Sequence, residues 1–314
     1  MKFSFTRFKD RTWFGFDAVT RWLATAPSLV QDIGFGLLGS SLWLVYALPG
    51  NPLRKTTVAF SETIGQGPPR ALFAKFVRRF ALGQRRMEIL RSGQTDQIDP
   101  LLMIPQQARI ADLLRDGNGI VLVMPHCHAS VVIVRGLALR FPTLMLVREA
   151  ANPARAASQQ QYYDQLGCEV LDVRSSNDAT VARAVLNALR QGKIVIGVVD
   201  RIKDAPPADA PIDKGRDAVR AMAFGAPVGV VGWPVRFATK CGAPILPAMV
   251  EQSRDAVTLH LADPITLTDP LAASQAWLGA LETLMRRYPH DWLFVYDKYW
   301  SRVLQKRLAL PPAS

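Results

Sequence analysis

From about Asn118 onward the chain alternates short runs rich in β-branched residues with longer amphipathic segments, and this alternation restricts the fold more than any other feature. The runs fall at 120–124, 143–147, 169–173 and 194–199. Segments with helical patterning lie between them at 129–139, 153–166 and 178–191. Strand and helix in strict alternation imply right-handed crossovers and a mainly parallel sheet covered on both faces. Two further strands at 244–250 and 257–261 and a helix over 270–288 complete the reading. The expectation is an α/β domain over residues 111–314, with a mainly parallel central sheet flanked by helices. Residues 1–110 read as a helical N-terminal region, with helices at 14–24, 33–48 and 70–91. Pro49-Gly50 and the Gly/Pro-rich stretch 65–69 separate them. The Pro-, Asp- and Lys-rich stretch 203–216 reads as a loop after a strand end.

One corner of this pattern carries most of the chemistry. The apolar run 121–124 ends in Pro125 and delivers His126, Cys127 and His128, and a largely apolar helix follows. Two of the protein's four histidines therefore stand at one strand-to-helix corner. Open α/β sheets place their ligand sites at such corners, and a histidine there suits general-base work near neutral pH. Asp200-Arg201 ends another strand, and Arg148-Glu149 a third. If those strands share one sheet, a histidine base, arginines and a carboxylate converge on an anionic substrate. Three scattered cysteines, Cys127, Cys168 and Cys241, form no disulfide framework or metal motif and fit a reducing cytosolic environment.

The net charge is +12, and 49% of the residues are hydrophobic. That balance points to acidic partners, either anionic lipid or an acidic carrier protein. Nucleic acid is disfavoured, because no recognised binding motif appears. Lys75, Arg78, Arg79, Arg85, Arg86 and Arg91 interleave with Phe73, Phe76, Phe80, Leu82, Met87 and Leu90 and are opposed there only by Glu88. This pattern reads equally as a solvated helix face or as a membrane-surface helix. The uncharged stretch 33–48 is slightly short for a full span and reads as a membrane-embedded or interfacial helix, a buried core helix being the alternative. Trp43 and Tyr46 suit an interface.

Four blocks, in order, carry a resemblance to the lipid A biosynthesis lauroyl/myristoyl acyltransferase family of the wider lysophospholipid acyltransferase-like superfamily. Residues 119–126 resemble the strand that leads to that family's catalytic histidine. Residues 148–153 are similar to its Arg-x-x-x-Asn-Pro segment, with Arg148, Asn152 and Pro153. Residues 225–248 resemble a block marked here by Pro234, Arg236, Ala238, Gly242, Ala243, Pro244 and Pro247. Residues 287–296 resemble its closing Pro-x-x-Trp signature through Pro289 and Trp292, and Asp200 matches an aspartate between the second and third blocks.

The resemblance implies transfer of a fatty acyl group from acyl carrier protein or coenzyme A to a lipid-like acceptor, on the cytosolic face of a bacterial inner membrane. No cofactor beyond the acyl thioester is implied. It casts His126 as the base and Arg148, Arg201 and Arg236 as substrate-binding. The family's carboxylate stands five residues after its histidine, but here Val131 and Ile133 follow His126 and His128 at that distance. Full activity then requires a substitute, with Glu149 and Asp200 as candidates and His128 as a weaker ring-to-ring support. The alternatives are an impaired, lipid-binding relative, or acylation of another acceptor such as a pigment or amino lipid.

Overall fold

The computed structural model describes residues 5–208 and 218–308. Four helices open the chain: α1 (Phe5–Thr25), α2 (Ser28–Ala47), α3 (Pro52–Ile64) and α4 (Pro69–Arg91). The α/β part runs β1 (Leu102–Met103), α5 (Gln107–Arg115), β2 (Ile120–Met124), α6 (Ser130–Ala138), β3 (Thr143–Val147) and α7 (Pro153–Tyr163). It continues through β4 (Glu169–Asp172), α8 (Asp178–Arg190), β5 (Ile194–Val198), β6 (Lys203–Asp204), β7 (Ala218–Ala223) and β8 (Ala226–Val231). It closes with α9 (Trp233–Cys241), β9 (Ile245–Gln252), β10 (Val257–Leu261), α10 (Pro270–Arg287) and α11 (Lys298–Leu308).

The α/β expectation holds at this level. Seven strands form one mixed, mostly parallel sheet in the order β1-β10-β9-β2-β5-β3-β4, with β10 antiparallel to β9. All five residues of β2 are buried, as a central strand covered on both faces must be. A second, antiparallel sheet, β6-β8-β7, stands apart. It holds the β7–β8 hairpin, which the alternation gave no reason to expect. The sequence reading also passed over α3, α5, α9 and α11. The ends of α3 are legible, since Asn51 caps it through the Leu53 amide, Pro52 occupies its first turn and Gly65 closes it in the left-handed conformation. Of the expected loop 203–216, the first two residues form β6, and 209–216 lie outside the described residues.

The N-terminal helices pack into the sheet's own core. Phe60 of α3 and Phe73, Phe76 and Leu90 of α4 belong to one buried cluster with β2, β5, Trp292 and Trp300. Neither reading of the basic run on α4 survives for its inner arginines. Arg86 is buried and donates to Gln252, to the Ser253 carbonyl at 2.7 Å and to the Arg254 carbonyl at 2.9 Å. Arg91 donates to Asp17 at 2.5 Å and to the Ser158 hydroxyl at 2.8 Å, and it pairs with Glu88. Glu88 also accepts from Tyr162 at 3.0 Å and from Thr20 at 3.2 Å. One guanidinium thus ties α1, α4 and α7 together.

The α2 helix is long and apolar enough to cross a membrane by length and composition. One side packs along α4. A Cβ on Gly39 would lie 2.9 Å from the Ala81 methyl, and Tyr46 stacks on Phe73 at 4.2 Å. The other side exposes Leu29, Ile33, Leu37, Leu44 and Leu48, at spacings of four and seven residues that make one stripe. On α1, Val19 and Trp22 are exposed as well.

Arg91→Met leaves buried Glu88 without its cation and Asp17 with only Arg21, at 2.7 Å. The expected loss is about 3–5 kcal/mol of stability, read as a lower urea midpoint. Arg91→Lys, which keeps the charge but not the fork, falls between that variant and the parent.

Candidate active site

Parallel pairing fixes which strand ends meet. β2 pairs with β5 in register from Ile120–Ile194 to Met124–Val198, so the chain leaves the sheet at His126 beside Asp200. The His126 ring meets the Asp200 carboxylate through Nδ1 at 2.5 Å from Oδ1, and the His126 backbone N–H donates to Oδ2 at 2.9 Å. Trp292 donates its indole N–H to the same Oδ2 at 2.9 Å, and Trp300 donates to the Asp200 carbonyl at 2.6 Å. Asp200 is 2% exposed, whereas the His126 side chain keeps 22% of its surface open. A ring whose Nδ1 lies against a buried carboxylate holds its proton there, which makes Nε2 the basic nitrogen.

The corner loop is pinned from the far end of the chain. Cys127 and Trp292 form an isolated antiparallel bridge; Leu293 N–H donates to the His126 carbonyl at 2.8 Å, and His128 N–H to the Asp291 carbonyl at 3.2 Å. Trp292 is fully buried, stacked on Phe224 at 5.6 Å and met edge-on by Phe60 and Trp300. Phe224 itself has φ +49° in the turn between β7 and β8. That conformation is costly for a residue with a Cβ. Its N–H is taken by Glu282 at 2.7 Å and its ring by Trp292 and by the Arg286 guanidinium at 5.0 Å.

Of the two substitute acids, only Asp200 reaches the histidine. The sheet order β2-β5-β3 puts a whole strand between His126 and Glu149, about 10 Å at ordinary strand spacing. The Glu149 backbone N–H instead donates to Asp172 at 3.0 Å. His128 does not support His126 either. It is buried against Phe76 (4.8 Å between ring centres) and Phe80, and neither ring nitrogen has a hydrogen-bond partner among the described residues. Gly83 of α4 is required there, since a Cβ would lie 2.7 Å from His128 Cβ. Burial, with Arg79 nearby, pushes His128 down to about 3.

Arg148 and Arg201 are exposed at the ends of β3 and β5, on the edge that carries the His126–Asp200 pair. Arg236 is exposed on α9, its guanidinium 5.7 Å from the centre of the Phe237 ring. Burial raises the Cys127 thiol above its ordinary range, which denies it thiolate chemistry. Trp292, part of the closing Pro-x-x-Trp block, is the carboxylate's second side-chain partner. His290 is half-buried and Asp291 buried. Burial, with Lys75 and Arg79 nearby, lowers His290 to about 4. Burial raises Asp291 to about 7 against the pull of Arg79. His260 is satisfied by Glu251 at 2.9 Å and Tyr288 at 3.1 Å. Among the described residues no three His, Cys, Asp or Glu side chains gather as metal ligands would. No family model matches the chain, and no curated protein matches it in sequence.

His128 generates a stability test with a definite sign. Its folded pKa of about 3 lies below the ordinary 6.5, so the unfolded chain binds the extra proton. The stability associated with neutral His128 is complete above the unfolded value and is lost as pH falls from there towards the folded one, by up to about 1.4 kcal/mol per pH unit. Urea melts across that window should show a shallower acid slope for His128→Leu than for the parent.

Proposed function

We propose that the chain is a membrane-associated acyltransferase that moves an acyl group from an acyl thioester to a hydroxyl or amine of a lipid-like acceptor. The observation that carries this reading is the His126–Asp200 pair at the carboxyl edge of a parallel sheet, with Nε2 as the basic nitrogen. In the reaction, Nε2 takes the proton of the acceptor hydroxyl as its oxygen attacks the thioester carbonyl. The tetrahedral intermediate then collapses, the C–S bond breaks, and the imidazolium returns the proton to the leaving thiolate. Asp200 fixes the tautomer and offsets the cation. Direct transfer is favoured over an acyl-enzyme. The neighbouring thiol stays protonated, and the Ser130 hydroxyl is engaged by the Cys127 amide at 2.7 Å and the Pro125 carbonyl at 3.3 Å.

Arg148 and Arg201 suit the phosphates of coenzyme A or of a carrier protein's prosthetic arm. A net charge of +12 suits both an acidic carrier and anionic lipid. The exposed stripes of α1 and α2 support membrane association. We read α2 as lying in the interface rather than crossing it. Its other side is packed on α4, so a span would drag the exposed Lys75 and Arg78 into hydrocarbon. The cytosolic face of a bacterial inner membrane, and lipid A or a related glycolipid as acceptor, are the finer readings that the sequence blocks favour.

Purified protein in detergent, given labelled acyl carrier protein or acyl-CoA and a bacterial lipid extract, is expected to transfer label to lipid. His126→Ala abolishes that transfer. Asp200→Asn lowers it by roughly 10³–10⁴-fold, as loss of the orienting acid does in a comparable triad. Trp292→Phe lowers it by about tenfold through one lost hydrogen bond. Lipid binding without turnover, or turnover indifferent to His126→Ala, overturns the assignment.

A further inference from the structure

The apolar stripe of α2 does not end at open surface. Leu44 and Leu48 are its last exposed residues, and the chain then turns at Gly50, which has φ +71°. Immediately beyond lies a cleft of about 410 Å³ lined by Gly50, Asn51, Arg54, Lys55, Val58 and Gln305, between the first turns of α3 and the side of α11. Asn51, Arg54, Lys55 and Val58 follow helical spacing and so share one face of α3. Among the described residues, no carboxylate lines the cleft. Arg54 and Lys55 are exposed and form no ion pair among the described residues. Asn51 spends its Oδ1 on the Leu53 amide, at 2.7 Å, which leaves its NH₂ as a donor. Gln305 is held in place by Thr56 at 3.2 Å and Ser301 at 2.9 Å.

We propose that this cleft binds the phosphate of an anionic phospholipid headgroup while the adjoining stripe of α2 meets the acyl region. Two observations select that occupant. The charge is complementary, since two cations without carboxylate partners face a cleft that offers no counter-charge. The cleft also continues the apolar stripe across a single turn, reproducing the order of a lipid molecule from hydrocarbon to phosphate. Arginine supplies a planar fork and lysine a point charge, a pairing suited to a phosphodiester. Within the basic run of α4, Arg86 and Arg91 are consumed inside the protein and Arg85 is paired with Asp32, while the exposed Lys75 and Arg78 do not line the cleft.

The proposal rests on the membrane-face reading above, and one experiment separates the two. The full chain is floated with vesicles of phosphatidylcholine alone and of phosphatidylcholine with phosphatidylglycerol. The parent is expected to bind both and to gain affinity from phosphatidylglycerol. Arg54→Gln/Lys55→Gln should bind the neutral vesicles as the parent does but lose about 30-fold of affinity for the anionic ones, the effect of two surface cations. Leu37→Glu/Leu44→Glu should lose both. Arg183→Gln/Arg190→Gln on α8, which removes the same charge elsewhere, should change neither. An unchanged phosphatidylglycerol gain in the cleft variant, or an equal loss in the α8 variant, overturns the cleft and leaves the membrane face standing. No flotation by the parent overturns both.

Discussion

A carboxylate at 2% exposure sits at the centre of this molecule, and the surrounding structure answers its demand for donors. Burying an unpaired charge costs several kcal/mol or more, so Asp200 persists only because three N–H groups meet its two oxygens. Two of those donors belong to His126 and one to Trp292, residues far apart in the chain. The carboxylate is therefore a joint between the second strand and the last quarter of the sequence. Its satisfaction fixes where the segment after Asp291 must run, and that segment in turn closes the loop carrying the histidine.

The supporting shell is aromatic because a fixed indole needs flat, stiff neighbours. Trp292 is held by Phe60 from the N-terminal helices, Phe224 from the small sheet and Trp300 from the C-terminal helix. Phe224 accepts an unfavourable left-handed backbone to be there. A strained residue persists where packing over-determines it, and here the packing is against the one side chain that orients the acid. The N-terminal helices consequently belong to the body that holds the His126–Asp200 pair, as well as carrying the apolar surface. Phe76 and Gly83 of α4 shape the bed of His128, while α2 rests on the neighbouring face of the same helix, against Phe73, Val77 and Ala81.

Much of the sheet was legible because its inner strands β2, β3, β5 and β9 are buried on both faces and so read as largely apolar runs. The expected 120–124, 143–147 and 257–261 agree with Ile120–Met124, Thr143–Val147 and Val257–Leu261, and the other expected strands differ by one or two residues. Helix α3 and the β7–β8 hairpin escaped notice for local reasons. In α3, Thr56 and Thr57 are buried polar residues that blur an apolar stripe, and β8 contains Pro227 and Gly229, residue types depleted in strands. For the site, the sequence supplied His126 and two candidate acids but not strand order, and strand order alone separates Asp200 from Glu149. The role of Trp292 left no local signal at all. An indole whose partner lies 92 residues away is indistinguishable, in a linear reading, from one that only fills space.

Supplying the acid from a neighbouring strand changes what the following helix is allowed to be. A carboxylate one helical turn after the histidine would have to face the site from the first turn of α6, and the residues around it would be held to that orientation. With Asp200 on β5 instead, α6 begins Ser130, Val131, Val132, Ile133, Val134, and the last three are fully buried in the common core. The first turn then contributes apolar burial, about 1.5–3 kcal/mol for each large aliphatic side chain, where a buried acid would have required compensation. The arrangement is also stiffer. A carboxylate at a strand end, gripped through one oxygen by an indole and a backbone amide, has fewer rotamers open to it than one on an exposed helical turn. With the acid supplied from the end of the neighbouring strand, Val131 and Ile133 are released to pack as apolar residues.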